Sequence, residues 1–223
     1  MSFRLFCEAI IKFLCGVLLV GALIFIPAGT LEFIQGVLLM GVLFIPMLAA
    51  GVVMMIKNPS LLKSRLDAKE KMKDQDTVIK LSGLMFIIGF VIAGLNHRFD
   101  WYTLPIGVSV AGAVLLIIGY LLFAEVLREN RYLSRTIKVV EGQTIVDTGA
   151  YGVVRHPMYT ASLILFISMP IILGSLYSLI VFSAYPFIIA KRIRGEERLL
   201  ENELAGYSEY KKKVKYRLIP FIW

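Results

Sequence analysis

The chain alternates long apolar blocks with short charged ones. Apolar residues run almost without interruption over about residues 13–31, 33–56, 81–97 and 102–124, and then over an oversized block from 158 to 190. Phe33 to Ile56 and Trp101 to Ala124 hold no charged residue, and each is long enough to cross a hydrocarbon core of about 30 Å as a helix. The runs are continuous and lack a period of two, which excludes the alternating strands of an outer-membrane barrel. The last block would make a helix of about 50 Å at a rise of about 1.5 Å per residue, too long for one span. Pro170, Gly174, Ser175 and Pro186 interrupt it, and a break at Gly174-Ser175 divides it into two short helices. The pattern predicts an all-α polytopic transmembrane bundle with about six crossings, the last two forming a C-terminal helical hairpin.

Composition agrees with this pattern. Of 223 residues, 58% are apolar and 18% charged, and the mean hydropathy is +0.76, which excludes a small soluble enzyme. The formal net charge of +8 would point to nucleic acid in a soluble protein, but here its placement matters more than its sum. Segments 57–80, 125–155 and 191–223 hold seven, five and nine Lys or Arg. With Arg4 and Lys12 they put 23 of the 24 basic residues on one side of a six-crossing chain, only Arg98 being opposite. The positive-inside rule then places both termini in the cytoplasm, with no nucleic-acid partner expected. The short connections leave the cytoplasmic segments to hold the chemistry. The chain divides accordingly into four N-terminal spans over 1–124, with a charged loop at 57–80, and a working region over 125–223. Cys7 and Cys15 do not make a disulfide framework, and the two histidines, His97 and His156, do not form a chelating pair, so no metal is expected.

No G-x-G-x-x-G or Walker sequence is present, which removes the usual nucleotide turns. Polar and aromatic residues cluster instead at Gly149-Ala-Tyr-Gly-Val-Val-Arg155-His156-Pro157-Met158-Tyr159, at the mouth of the apolar hairpin. Pro157 suits the first turn of a helix, where its missing N–H costs nothing. A second cluster, Lys191-Arg192-Ile-Arg194-Gly-Glu196-Glu197, places Arg192 and Glu196 four apart on one helix face. From spacing alone this cluster also reads as a snorkelling basic collar. The ending Tyr207-Ser-Glu209-Tyr210 through Leu218-Ile219-Pro220 reads equally as a basic and aromatic interfacial tail.

In order, these pieces are Gly-x-Tyr-x-x-x-Arg-His-Pro-x-Tyr, an apolar hairpin, Arg-x-x-x-Glu-Glu-x-x-Leu, Tyr-x-Glu-Tyr and Leu-Ile-Pro. The chain resembles the isoprenylcysteine carboxyl methyltransferase family, within the wider group that includes the phospholipid methyltransferases. The resemblance covers roughly residues 128–223. It implies S-adenosyl-L-methionine as cofactor, held in a cytoplasmic pocket by Gln143, Thr144, Ile145, Val146, Tyr151, His156, Pro157, Met158, Tyr159 and Glu196. It implies that Arg192 faces the carboxylate of a lipid-like or prenylated acceptor that enters from the membrane. Two positions depart from the family pattern: Gln143 stands where many members have His, and Val140 lies near the place of a Gln. A phospholipid amine methyltransferase is the nearest alternative. A sterol-reductase-like enzyme and a membrane scaffold that does no chemistry are further ones.

Overall fold

The computed structural model describes residues 3–66, 73–130, 132–133, 139 and 142–223; Val140 lies outside them. Helices dominate, in the order α1 (Phe3–Ala28), α2 (Ile34–Lys57), α3 (Pro59–Leu66), α4 (Lys73–Arg98), α5 (Ile106–Glu129), α6 (Pro157–Ile172), α7 (Leu176–Phe182), α8 (Tyr185–Glu203) and α9 (Tyr207–Lys213). Five stretches are long and apolar enough to cross a membrane: Arg4–Ala28, Ile34–Lys57, Asp76–Arg98, Ile106–Glu129 and Leu176–Glu203. The sixth, α6, is also apolar but has only 16 residues, about 24 Å of helix. The protein is a multi-pass membrane helical bundle. Its outward side chains fit that setting, since Leu18, Ile26 and Ile45 each stand more than two-thirds exposed where a lipid phase would meet them.

Three turns gather at one end of the bundle. The guanidinium of Arg98, at the end of α4, lies beside Gly29 in the turn between α1 and α2, and His97 stacks on Phe33 with ring centroids 4.2 Å apart. The turn from α6 to α7 meets the turn from α4 to α5 through Leu104 N–H, which donates to Gly174 O at 2.9 Å. Ser175 Oγ donates to Asn96 Oδ1 and also accepts from Ser178 N–H, capping α7, both at 3.2 Å. Gly174 has φ +67°, and a side chain there would press on Thr103, so glycine meets both the backbone and the steric demand of the turn. The expected break at Gly174-Ser175 is therefore a true reversal at the bundle end. The block 158–190 breaks a second time, at Ser183-Ala184 before Pro186, into α7 and α8, and α8 runs on to Glu203 through the Arg192–Glu196 helix face.

The hairpin is buried in the bundle. In lipid the hydrophobic effect does not drive helices together, so close packing of small residues must. Gly112 and Gly119 of α5 let Ile172 and Leu165 of α6 approach the backbone. Phe182 of α7, fully buried, packs edge-on against Phe86 of α4 at 5.4 Å. One continuous core results, joining Ile24, Leu39 and Phe90 to Leu165, Ile172 and Ile193. It holds the N-terminus of α6 and the C-terminal half of α8 side by side, at the end of the bundle opposite the three turns.

Candidate active site

The pocket at that end is made by the start of α6, the late turns of α8, the loop before α6 and helix α9. Its walls carry Gln143, Thr144, Ile145, Val146, Tyr151, His156, Met158, Tyr159, Arg192 and Glu196. Residues separated by as many as 53 positions thus meet in one cleft. Pro157 is the exception among the candidates: it is buried at the first turn of α6, where it fixes the helix start without lining the cleft. Asn130, Tyr207 and Tyr210 also line the pocket and were missed. A Tyr three residues from another on a helix carries no signal that either faces a ligand.

Tyr159 ties the two α8 residues together. Its hydroxyl donates to Glu196 Oε2 at 2.6 Å and accepts from Arg192 Nε at 3.0 Å. Arg192 and Glu196 therefore share not only a helix face but one partner, and Arg192 is held by it although nine-tenths buried. A guanidinium pinned at Nε has its plane fixed, which matters for recognising a planar anion.

Glu197, one residue round the helix, points away from that pair and into the protein. Its Oε1 accepts from Arg155 Nε at 2.8 Å and lies 3.3 Å from His156 Nε2, while Oε2 accepts from Arg217 Nε at 2.9 Å. Arg155 also donates from Nη1 to the carbonyls of Val214 and Lys215. The chain after α9 completes the clamp: Arg155 and His156 N–H donate to Tyr216 and Arg217 O, both at 2.9 Å, and Thr160 Oγ1 donates to Leu218 O at 2.7 Å. The ending read as an interfacial tail is thus folded onto the Arg-His-Pro segment. It positions His156 and the first turn of α6.

The opposite wall is set by the short 3₁₀ turn Gly149–Gly152. Gly149 has φ +50°, and a Cβ there would overlap the Glu129 carboxylate, which accepts from Ala150 N–H at 3.1 Å. This anchors Tyr151, whose hydroxyl accepts from Asn130 Nδ2 at 3.0 Å and whose carbonyl accepts from Tyr210 Oη at 2.8 Å. Burial pushes the Tyr151 phenol up to about 12 and pushes those of Tyr207 and Tyr210 up as well. All three stay protonated near neutral pH and are hydrogen-bonding groups, not bases. The Tyr207 hydroxyl is buried without a hydrogen-bond partner among the described residues, so this wall has a polar group to offer a ligand. Carboxylate, aromatic faces and an unused hydroxyl together fit a cationic, purine-bearing molecule.

Fold and site define a polytopic membrane protein whose pocket is built on a C-terminal helical hairpin and the segment that follows it. Residues 110–202 match the model of the isoprenylcysteine carboxyl methyltransferase (ICMT) family. The fold is similar to that of the eukaryotic intramembrane Ras methyltransferase ICMT, with a TM-score of 0.57 and 22% identity, covering 94% of this chain and 74% of that one. A stretch of 139 residues, 55% of this chain, is 25% identical to the delta(14)-sterol reductase of Mus musculus and spans 33% of the reductase's length. The family model matches 93 of the 223 residues, and the solved structure shares the fold.

Proposed function

We propose that the protein is an S-adenosyl-L-methionine-dependent methyltransferase that esterifies a carboxylate on a lipid-like acceptor. The observation that carries the reading is the meeting of Arg192 and Glu196 at the Tyr159 hydroxyl, in one pocket within the segment that matches the ICMT family. Glu196, with Tyr151, His156, Met158, Tyr159 and the 143–146 stretch, would hold the cofactor, whose chemistry when bound is to supply an electrophilic methyl group. Arg192 binds and orients the acceptor carboxylate. That carboxylate, with a reference pKa of about 4, is already ionised at neutral pH, so the chain needs no general base. Its task is alignment and partial exclusion of water, which the buried Arg192 and the hairpin supply.

An amine acceptor fits less well. It would have to lose a proton beside a buried guanidinium, among tyrosines that remain protonated. The reductase relative is the observation that favours a second reading, with a nicotinamide cofactor in the same cleft. The test is transfer of labelled methyl groups by detergent-purified protein to short-chain carboxylate and amine lipids. Label on the carboxylate lipid alone is the expected result; label on the amine lipid alone would assign the phospholipid-type activity. Sterol reduction with no transfer to either would favour the second reading.

A further inference from the structure

Two tyrosines of α9, three residues apart, line the pocket and use their hydroxyls differently. Tyr210 Oη donates to Tyr151 O at 2.8 Å and so joins the helix to the opposite wall. Tyr207 is 4% exposed, and its hydroxyl has no hydrogen-bond partner among the described residues. A buried phenol gives up its water and gets nothing back unless a partner arrives. Tyr207 forms a buried cluster with Tyr210 and Val214, against which Ile145, Leu200 and Leu204 pack, so the hydroxyl is not free to swing out to solvent.

We infer that the Tyr207 hydroxyl is a binding group for the nucleoside part of the cofactor, donating to a neutral acceptor atom of the purine ring or ribose. The inference rests on the methyltransferase reading and assigns one further residue of the same site. The lining around Tyr207 is aromatic and aliphatic, through Tyr210, Ile145, Leu200 and Leu204, which suits the faces of a flat base. The charged lining, Arg192 and Glu196, belongs to the reacting end. A carboxylate is the wrong partner for Tyr207, because the charges of Glu196 and Glu197 already reach its hydroxyl and would repel a third anion. A neutral ring nitrogen or sugar oxygen meets no such opposition.

The test compares Tyr207→Phe with Tyr210→Phe by thermal unfolding and by calorimetry with S-adenosylhomocysteine and 5′-methylthioadenosine, which keeps the nucleoside and lacks the amino acid. Tyr207→Phe removes a hydroxyl with no partner among the described residues, so its Tm stays at or above that of wild type. Its affinity falls about 5- to 10-fold for both ligands, the size expected for one neutral hydrogen bond. Tyr210→Phe, which breaks an existing bond, lowers Tm. Unchanged affinity of Tyr207→Phe for both ligands overturns the inference, as does a fall in its Tm, which would make the hydroxyl structural. Loss for S-adenosylhomocysteine alone also overturns it, by moving the contact to the amino-acid end. Wild type that binds neither ligand removes the methyltransferase reading itself, and the inference with it.

Discussion

Glu197→Ala destabilises the protein by about 3–5 kcal/mol, far more than Glu196→Ala. The reason lies in what each carboxylate leaves behind. Glu197 and Arg155 have side chains 5% and 4% exposed, and Arg217 and His156 converge on the same carboxylate. Removing it strands a buried guanidinium, and breaking a buried pair from one side costs in that range. Loss of Glu196 leaves Tyr159 short of one acceptor, about 1 kcal/mol by the usual value of a single bond. The damage at Glu197 reaches function too, since Arg155 then no longer holds the 214–218 segment against the start of α6. Thermal unfolding of both variants in the same detergent checks this; equal Tm values would mean that the cluster around Glu197 does not hold the site together. His156→Ala carries part of the same stability loss, because its ring is packed into the cluster.

The second large effect is on turnover. Arg192→Lys lowers methyl transfer on the order of 10- to 100-fold, about 1.4–2.8 kcal/mol in the barrier, with little change in affinity for S-adenosylhomocysteine. Arg192 uses Nε on Tyr159, and its planar fork can meet a carboxylate with two parallel bonds. A lysine has one nitrogen and cannot keep the Tyr159 bond while offering two more in a plane. The charge survives and the alignment does not, so the loss falls on kcat. If the variant instead loses cofactor binding, or methylates an amine lipid as well as wild type does, Arg192 does not read a carboxylate.

Much of this arrangement was legible in the chain, because it depends on local spacing. The apolar blocks are long enough to define the spans, Gly174-Ser175 marks the reversal, and a four-residue spacing puts Arg192 and Glu196 on one face. What escaped depends on distant partners. Spacing alone does not say whether Glu196 or Glu197 faces the pocket, since about 100° of rotation round α8 separates them; the resemblance named Glu196, which lines it, and left the partners of Glu197 unread. Arg155 and Arg217 stand 42 and 20 residues from Glu197, and nothing near either one signals the pairing. The C-terminal segment keeps two readings in the sequence for the same reason. Its basic and aromatic residues suit a membrane interface as well as they suit a clamp, and only its backbone bonds to Arg155 and His156 distinguish the two. The extension of α8 beyond the apolar block has a simpler cause: its polar turns have lining and core partners, so the helix does not end where hydrophobicity does.

The central claim is that the cleft between α6 and α8 holds S-adenosylmethionine through Glu196 on one side of the Tyr159 hydroxyl. Calorimetric titration of purified wild type and Glu196→Ala with S-adenosylhomocysteine tests it most directly. The account predicts a single site in wild type and a loss of at least about 1 kcal/mol, roughly fivefold or more, in a variant that remains folded. Equal affinity in the two proteins, or no binding by either, would contradict it.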